Sequence, residues 1–151
     1  MAVYKFKMQS VLDIKEKLET QAKQDFANAN LKLLEEEALL DKIVRKKEGY
    51  VEEGVKLRDG IIDPVAIEIN KRAVEVMEDQ EEAQKKEVAI ARKNVDAARK
   101  KMMDARMETK TYEKLKEDDF NEFMMEQGKI ESKEIDELNS FRFSERAKSK
   151  K

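Results

Sequence analysis

The chain has 151 residues, 44% charged and 40% hydrophobic, with four Gly, one Pro and a formal net charge of −2. An average domain is about 25% charged; this excess of charge, with so few turn-forming residues, excludes sandwiches, barrels and doubly wound sheets. His and Cys are absent, which removes the commonest general base, thiolate nucleophiles, thiolate zinc sites and disulfides.

Ala, Glu, Lys, Leu and Arg supply 79 of the 151 residues, a composition typical of a long helix or coiled coil. The expected fold is all-α: two long helices in an antiparallel coiled-coil hairpin. A single coiled-coil domain over 1–151 is expected, with helix 1 over about 8–58, a turn over about 59–63, helix 2 over about 64–143 and a basic tail over 144–151. No segment approaches the ~18–20 apolar residues of a membrane span, so no direct membrane insertion is expected. Met1 to Ile14 lacks the continuous apolar run of a secretory signal. Residues 1–7 and 142–151 carry seven positive charges and one negative. Such a block is a solvated tail or a surface for an acidic partner.

In helix 1 a line with alternating steps of four and three runs through Ala22, Phe26, Ala29, Leu33, Glu36, Leu40, Ile43, Lys47, Tyr50, Gly54 and Leu57. Most of these are apolar, which predicts a buried seam. Upstream the apolar residues continue through Leu18, Ile14 and Val11. The four-residue steps from Ile14 to Phe26 predict a local stutter that unwinds a supercoil. Leu31, Leu34 and Leu39 widen the stripe; a third helix, a dimer or an external partner would each cover them.

The break falls at Arg58 to Pro64. Gly60 suits the residue just past a helix C-terminus, Asp63 suits an N-cap and Pro64 the first helical position. Gly49, Gly54 and Gly128 lie within helical pattern, each costing about 1 kcal/mol against Ala.

Helix 2 has its clearest line at Val88, Ala91, Val95, Ala98, Met102, Ala105, Thr109 and Tyr112. Alanines seven apart on both helices predict close antiparallel approach. Facing Ala22 with Ala105, and Ala29 with Ala98, gives paired numbers that sum to 127, whereas a turn centred on Ile61 gives 122; the register stays open between them. With 127, Met8 lies opposite Asp119 and helix 2 continues alone from Phe120 to Phe143. That overhang carries Phe120, Phe123, Met124, Ile130, Ile135, Leu138 and Phe141, an apolar row that binds a partner, folds back or dimerises.

The remaining features are bland. Acidic and basic residues four apart, such as Asp13 with Lys17, read as a solvated helix surface. Nothing gathers carboxylates away from water, as a raised catalytic pKa requires. Met102 belongs to the seam, while Met103, Met107 and Met125 lie off it. No basic face interleaved with aromatics points to nucleic acid, and the scattered glycines form no phosphate loop. No cofactor or metal is expected, nor an ATPase activity within the chain.

Two segments carry a resemblance. Phe6, Gln9, Leu12, Asp13, Ile14, Lys15 and Glu16 read F-x-x-Q-x-x-L-D-I-K-E, and Lys133 to Leu138 read K-x-I-D-E-L. With the hairpin pattern and basic tail, the chain resembles the flagellar FliJ family of bacteria. The resemblance implies a non-enzymatic protein similar to the gamma subunit that forms the rotor stalk of rotary ATPases. It implies three partners: the hexameric flagellar export ATPase, the cytoplasmic part of the export-gate membrane protein, and export chaperones. The end bearing the termini would enter the ATPase ring through Phe6, Met8, Leu12, Phe120, Phe123, Met124, Ile130, Ile135, Asp136, Glu137, Leu138 and Phe141. Tyr50, aromatic and on the seam, is assigned to the gate. The protein would be cytoplasmic, peripherally associated with the membrane-embedded apparatus, and a monomer when free. A structural homodimeric coiled coil, or the equivalent stalk of an injectisome or vacuolar-type ATPase, are the alternative readings.

Overall fold

A computed structural model describes residues 2–149. The fold is an all-α hairpin of two long helices, α1 (Gln9–Leu57) and α2 (Pro64–Ser149). The last turn of α1 tightens, with Arg58 N donating to Val55 O and Asp59 N to Lys56 O at 3.3 and 3.2 Å. Gly60 then takes a positive φ of 77°, a conformation open to glycine because it has no Cβ. Asp63 caps α2, its Oδ1 accepting from Val65 N at 3.1 Å, and Pro64 is the first helical residue.

The chain forms two compact units, one of Met1–Leu18 with Arg106–Lys151 and the other of Glu19–Ala105. In the Glu19–Ala105 unit, the α1 seam follows the expected line from Ala22 to Leu57, each residue being buried or half-buried. Opposite it, Val88, Ala91 and Val95 are 4–5% exposed. Two buried amides join the helices here. Asn70 Nδ2 donates to Tyr50 O at 2.8 Å, and Gln84 Nε2 donates to Glu36 O at 3.0 Å. Lys47 pairs with Glu81 at 2.6 Å, and the Arg99 guanidinium lies over the Phe26 ring. Leu31, Leu34 and Leu39 remain exposed.

In the other unit, Leu12 and Thr109 are the buried pair, each 2% exposed. Thr109 Oγ1 donates to Lys15 O at 3.1 Å, and Lys15 Nζ pairs with Glu108 at 2.8 Å. The expected path of the seam through Ile14 and Leu18 is corrected: these residues are 56% and 51% exposed. Val11 is half-buried as expected, but the covered line runs through buried Leu12 and half-buried Lys15, and Glu19, the first residue of the other unit, is half-buried too; these keep steps of three and four, without the expected stutter. A lysine fits the seam because its aliphatic stem covers apolar surface while the ammonium reaches a carboxylate at the rim. The side-chain contacts to main-chain oxygens sum to 120 for Asn70 with Tyr50 and Gln84 with Glu36, and to 124 for Thr109 with Lys15, so the register lies at about 122 and away from 127.

The far end of α2 also differs. The helix passes the expected end at 143 and continues to Ser149. No Gly or Pro interrupts Ser144 to Ser149, and Arg146 and Lys148 lie in the last turn, where positive charge favours the negative end of the helix dipole. Lys150 and Lys151 lie outside the described residues.

Candidate functional site

The α2 segment beyond its α1 partner carries the longest exposed run of helix among the described residues. Its start is not bare. The N-terminal segment runs onto α2 before α1 begins, and Tyr4 is its anchor. The Tyr4 hydroxyl donates to Asp119 Oδ2 at 3.0 Å and approaches Lys116 O at 3.3 Å. Its ring packs on Phe120 at 5.1 Å, edge to face, and on Phe123 at 5.3 Å. Partial burial, then the Asp119 hydrogen bond, raise the Tyr4 pKa above its ordinary value. The lone part of α2 therefore begins after Gln127, the last half-buried residue, and every described residue from 128 to 149 is exposed. This arm extends roughly 33 Å at 1.5 Å per residue.

The expected partner-binding residues separate into three groups. Leu12 is buried in the seam at 2% exposure and cannot present itself to a partner, which corrects its place on that surface. Phe6 is half-buried and Met8 exposed at the non-helical approach to α1, and Phe120 and Phe123 sit under Tyr4. Met124, Ile130, Ile135, Leu138 and Phe141 are 49–60% exposed, with Asp136 and Glu137 exposed among them. At 3.6 residues per turn, Phe120, Phe123, Ile130, Leu138 and Phe141 fall within an arc of about 80°. The row is apolar but interrupted, since Gln127 and Glu134 fall within the same arc; a helix with such a face can lay it into a groove. Tyr50 lies half-buried on the α1 seam, and its carbonyl accepts the Asn70 amide.

A second apolar surface lies in the Glu19–Ala105 unit. Leu39, Ile43 and Ala83 floor a groove of about 660 Å³, with Lys42, Arg45 and Lys46 on one rim and Gln80, Gln84 and Glu87 on the other.

Sequence reasoning missed Tyr4, Asn70 and Gln84. A signal existed for the two amides: stepping back by sevens from Ala91 lands on Gln84, Met77 and Asn70. None existed for Tyr4, whose segment has no periodicity.

The electrostatics are those of a helix surface and a seam rim. The hydrogen bond from Gln84, then that from Lys32, hold the Glu36 carboxyl below its ordinary pKa. The Lys47 hydrogen bond does the same for Glu81 and raises Lys47 in turn. Among the described residues no group of three His, Cys, Asp or Glu is placed to hold a metal ion, and no helix is long and apolar enough to cross a membrane.

Comparison with known proteins adds one finding. The family model described as flagellar FliJ protein matches residues 4–148. No curated protein and no solved structure matches the chain.

Proposed function

The chain belongs to the family of the flagellar FliJ protein, a non-catalytic family associated with flagellar export, and from that premise we propose that it is the central stalk of the hexameric flagellar export ATPase and an escort for export chaperones. The observation that carries this reading is the α2 arm: an unaccompanied helix whose apolar stripe of Ile130, Leu138 and Phe141 lies open to solvent. A ring with a central pore is a partner that surrounds such a helix from several sides. Glu137 and Arg142 flank the stripe, and with Arg146 and, on the opposite face, Asp136 they meet polar groups of the ring interior. Met8, Phe120, Phe123, Met124 and Ile135 extend the same contact, and Phe6 lies in the segment beside its base. The export gate docks elsewhere, on the seam around Tyr50, and the groove floored by Leu39 and Ile43 is the surface within reach there. The chain works at the cytoplasmic face of the membrane, held peripherally through these partners, and is a monomer when free.

The test is a pull-down and a turnover assay with the cognate hexameric ATPase. Wild-type protein is expected to bind and to raise ATP hydrolysis. If it did neither, the stalk reading would fail. Sedimentation separates the structural alternative, since a stable homodimer would cover the same stripe with a second copy. The flagellar family match favours a flagellar stalk over one from an injectisome or a vacuolar-type ATPase.

A further inference from the structure

We propose that the N-terminal segment is a strap that competes with the partner for the base of the α2 stripe; this rests on the stalk reading above. Three observations carry it. First, the segment covers surface that belongs to the stripe. Phe120 and Phe123, its first two members, are the rings on which Tyr4 packs. Second, the strap is matched to its seat by charge. Lys5 and Lys7 share a concavity with Asp119, Glu122 and Glu126. Third, the hold is slight. Val3 is 80% exposed, Ala2, Lys5 and Lys7 are exposed, and residues 2–6 lie outside α1, joined to its start at Phe6, which is half-buried and whose carbonyl accepts from Gln9 N at 3.2 Å. Tyr4 is the main attachment, through one phenol and two ring contacts. A segment fixed by so few groups sits at the low-stability end of a fold and opens without unfolding it.

The consequence is a contact that is satisfied in the free protein and exchanged on binding. In the free chain the strap partly covers two phenylalanines, leaving Phe123 half-buried and Phe120 41% exposed. When a partner takes the arm, its apolar side chains replace Tyr4 on Phe120 and Phe123, and the strap leaves. Binding then starts on the open part of the stripe, from Ile130 outward, and completes at its base.

Two measurements test this with the full chain and the cognate hexameric ATPase. Tyr4→Ala removes the anchor. An aromatic pair contributes on the order of 0.5–1.5 kcal/mol, so the variant should bind the ATPase roughly two- to tenfold more tightly, with unchanged helix content by circular dichroism. Tyr4→Trp places a fluorophore in the strap, the only tryptophan in the chain. Read with a tryptophan-free ATPase, its emission should shift to the red as the ATPase is added. Tyr4→Ala binding equal to or weaker than wild type, or Tyr4→Trp emission that stays or shifts to the blue on binding, would overturn the strap and make the segment part of the interface. If neither wild type nor Tyr4→Ala bound the ATPase, the stalk reading itself would fall, and the competition with it.

Discussion

Replacing Gly54 by alanine should separate a packed glycine from an idle one. A Cβ at position 54 would collide with the Asn70 side-chain oxygen and stand 3.3 Å from the Arg58 guanidinium. Arg58 is flexible and can move. Asn70 is 8% exposed and donates to Tyr50 O at 2.8 Å, so it can yield only by giving up that bond. Alanine gains about 1 kcal/mol over glycine in a helix interior. Against this stand about 1–3 kcal/mol of overpacking and about 0.5–1.5 kcal/mol for the lost hydrogen bond. The unfavourable effects win, and Gly54→Ala should destabilise the hairpin by about 2 kcal/mol. Gly49 is the control: nothing lies within 4 Å of its added Cβ, so Gly49→Ala should stabilise by about 1 kcal/mol. Urea unfolding followed by circular dichroism reads both, provided the slopes stay equal. Combining Gly54→Ala with Asn70→Ala removes the collision, so the double variant should be more stable than the sum of the singles. If Gly54→Ala stabilised as much as Gly49→Ala, the two helices would not touch at this level and the seam as described would be wrong.

Three further outcomes are expected. Leu12→Ala should cost about 2 kcal/mol by emptying a buried seam position, whereas Ile14→Asp should stay within about 0.5 kcal/mol at an exposed one; equal losses in thermal unfolding would put Ile14 back in the seam. Glu36 and Glu81 are held below their ordinary pKa of 4.5 by the bonds from Gln84 and Lys47. A depressed carboxyl pKa adds stability that is full above the unfolded value and lost as pH falls through the folded one. Unfolding midpoints should therefore drop below about pH 4.5, and Glu36→Gln with Glu81→Gln should flatten that fall. A slope unchanged in the double variant would show these bonds to be irrelevant. Leu138→Asp should abolish capture of the export ATPase while leaving helix content unchanged, and a large loss of helicity would place Leu138 inside the protein's own fold.

Much of the hairpin was legible because a buried seam imposes a repeat of seven. From Ala22 to Leu57 every position on the expected line of alternating steps is covered, Glu36 and Lys47 included. Upstream of Ala22 they part. Following apolar character leads to Leu18 and Ile14, but following the sevens leads to Lys15, whose charge is met by Glu108, 93 residues away. Apolarity is a proxy for burial, and it fails where a distant partner makes a polar side chain tolerable. The same bias hid Asn70 and Gln84, which lie on the repeat but are amides. The end of α2 was misjudged for another reason: a run of small and charged residues reads as a tail, yet holds no residue that stops a helix. The arm itself was legible from its stripe. Its beginning was not, because a short aperiodic segment gives no hint of which helix it will lie against.

The buried amides of the Glu19–Ala105 unit have a mechanical meaning. Asn70 and Gln84, on α2, each donate to one particular α1 main-chain oxygen, Tyr50 O and Glu36 O. An apolar seam alone tolerates slippage, since one methyl group is much like the next. Sliding α1 along α2 out of this register would break both bonds and leave each buried donor unpaired, at about 1–3 kcal/mol apiece. Within that unit the two amides act as pins that hold the paired helices in step.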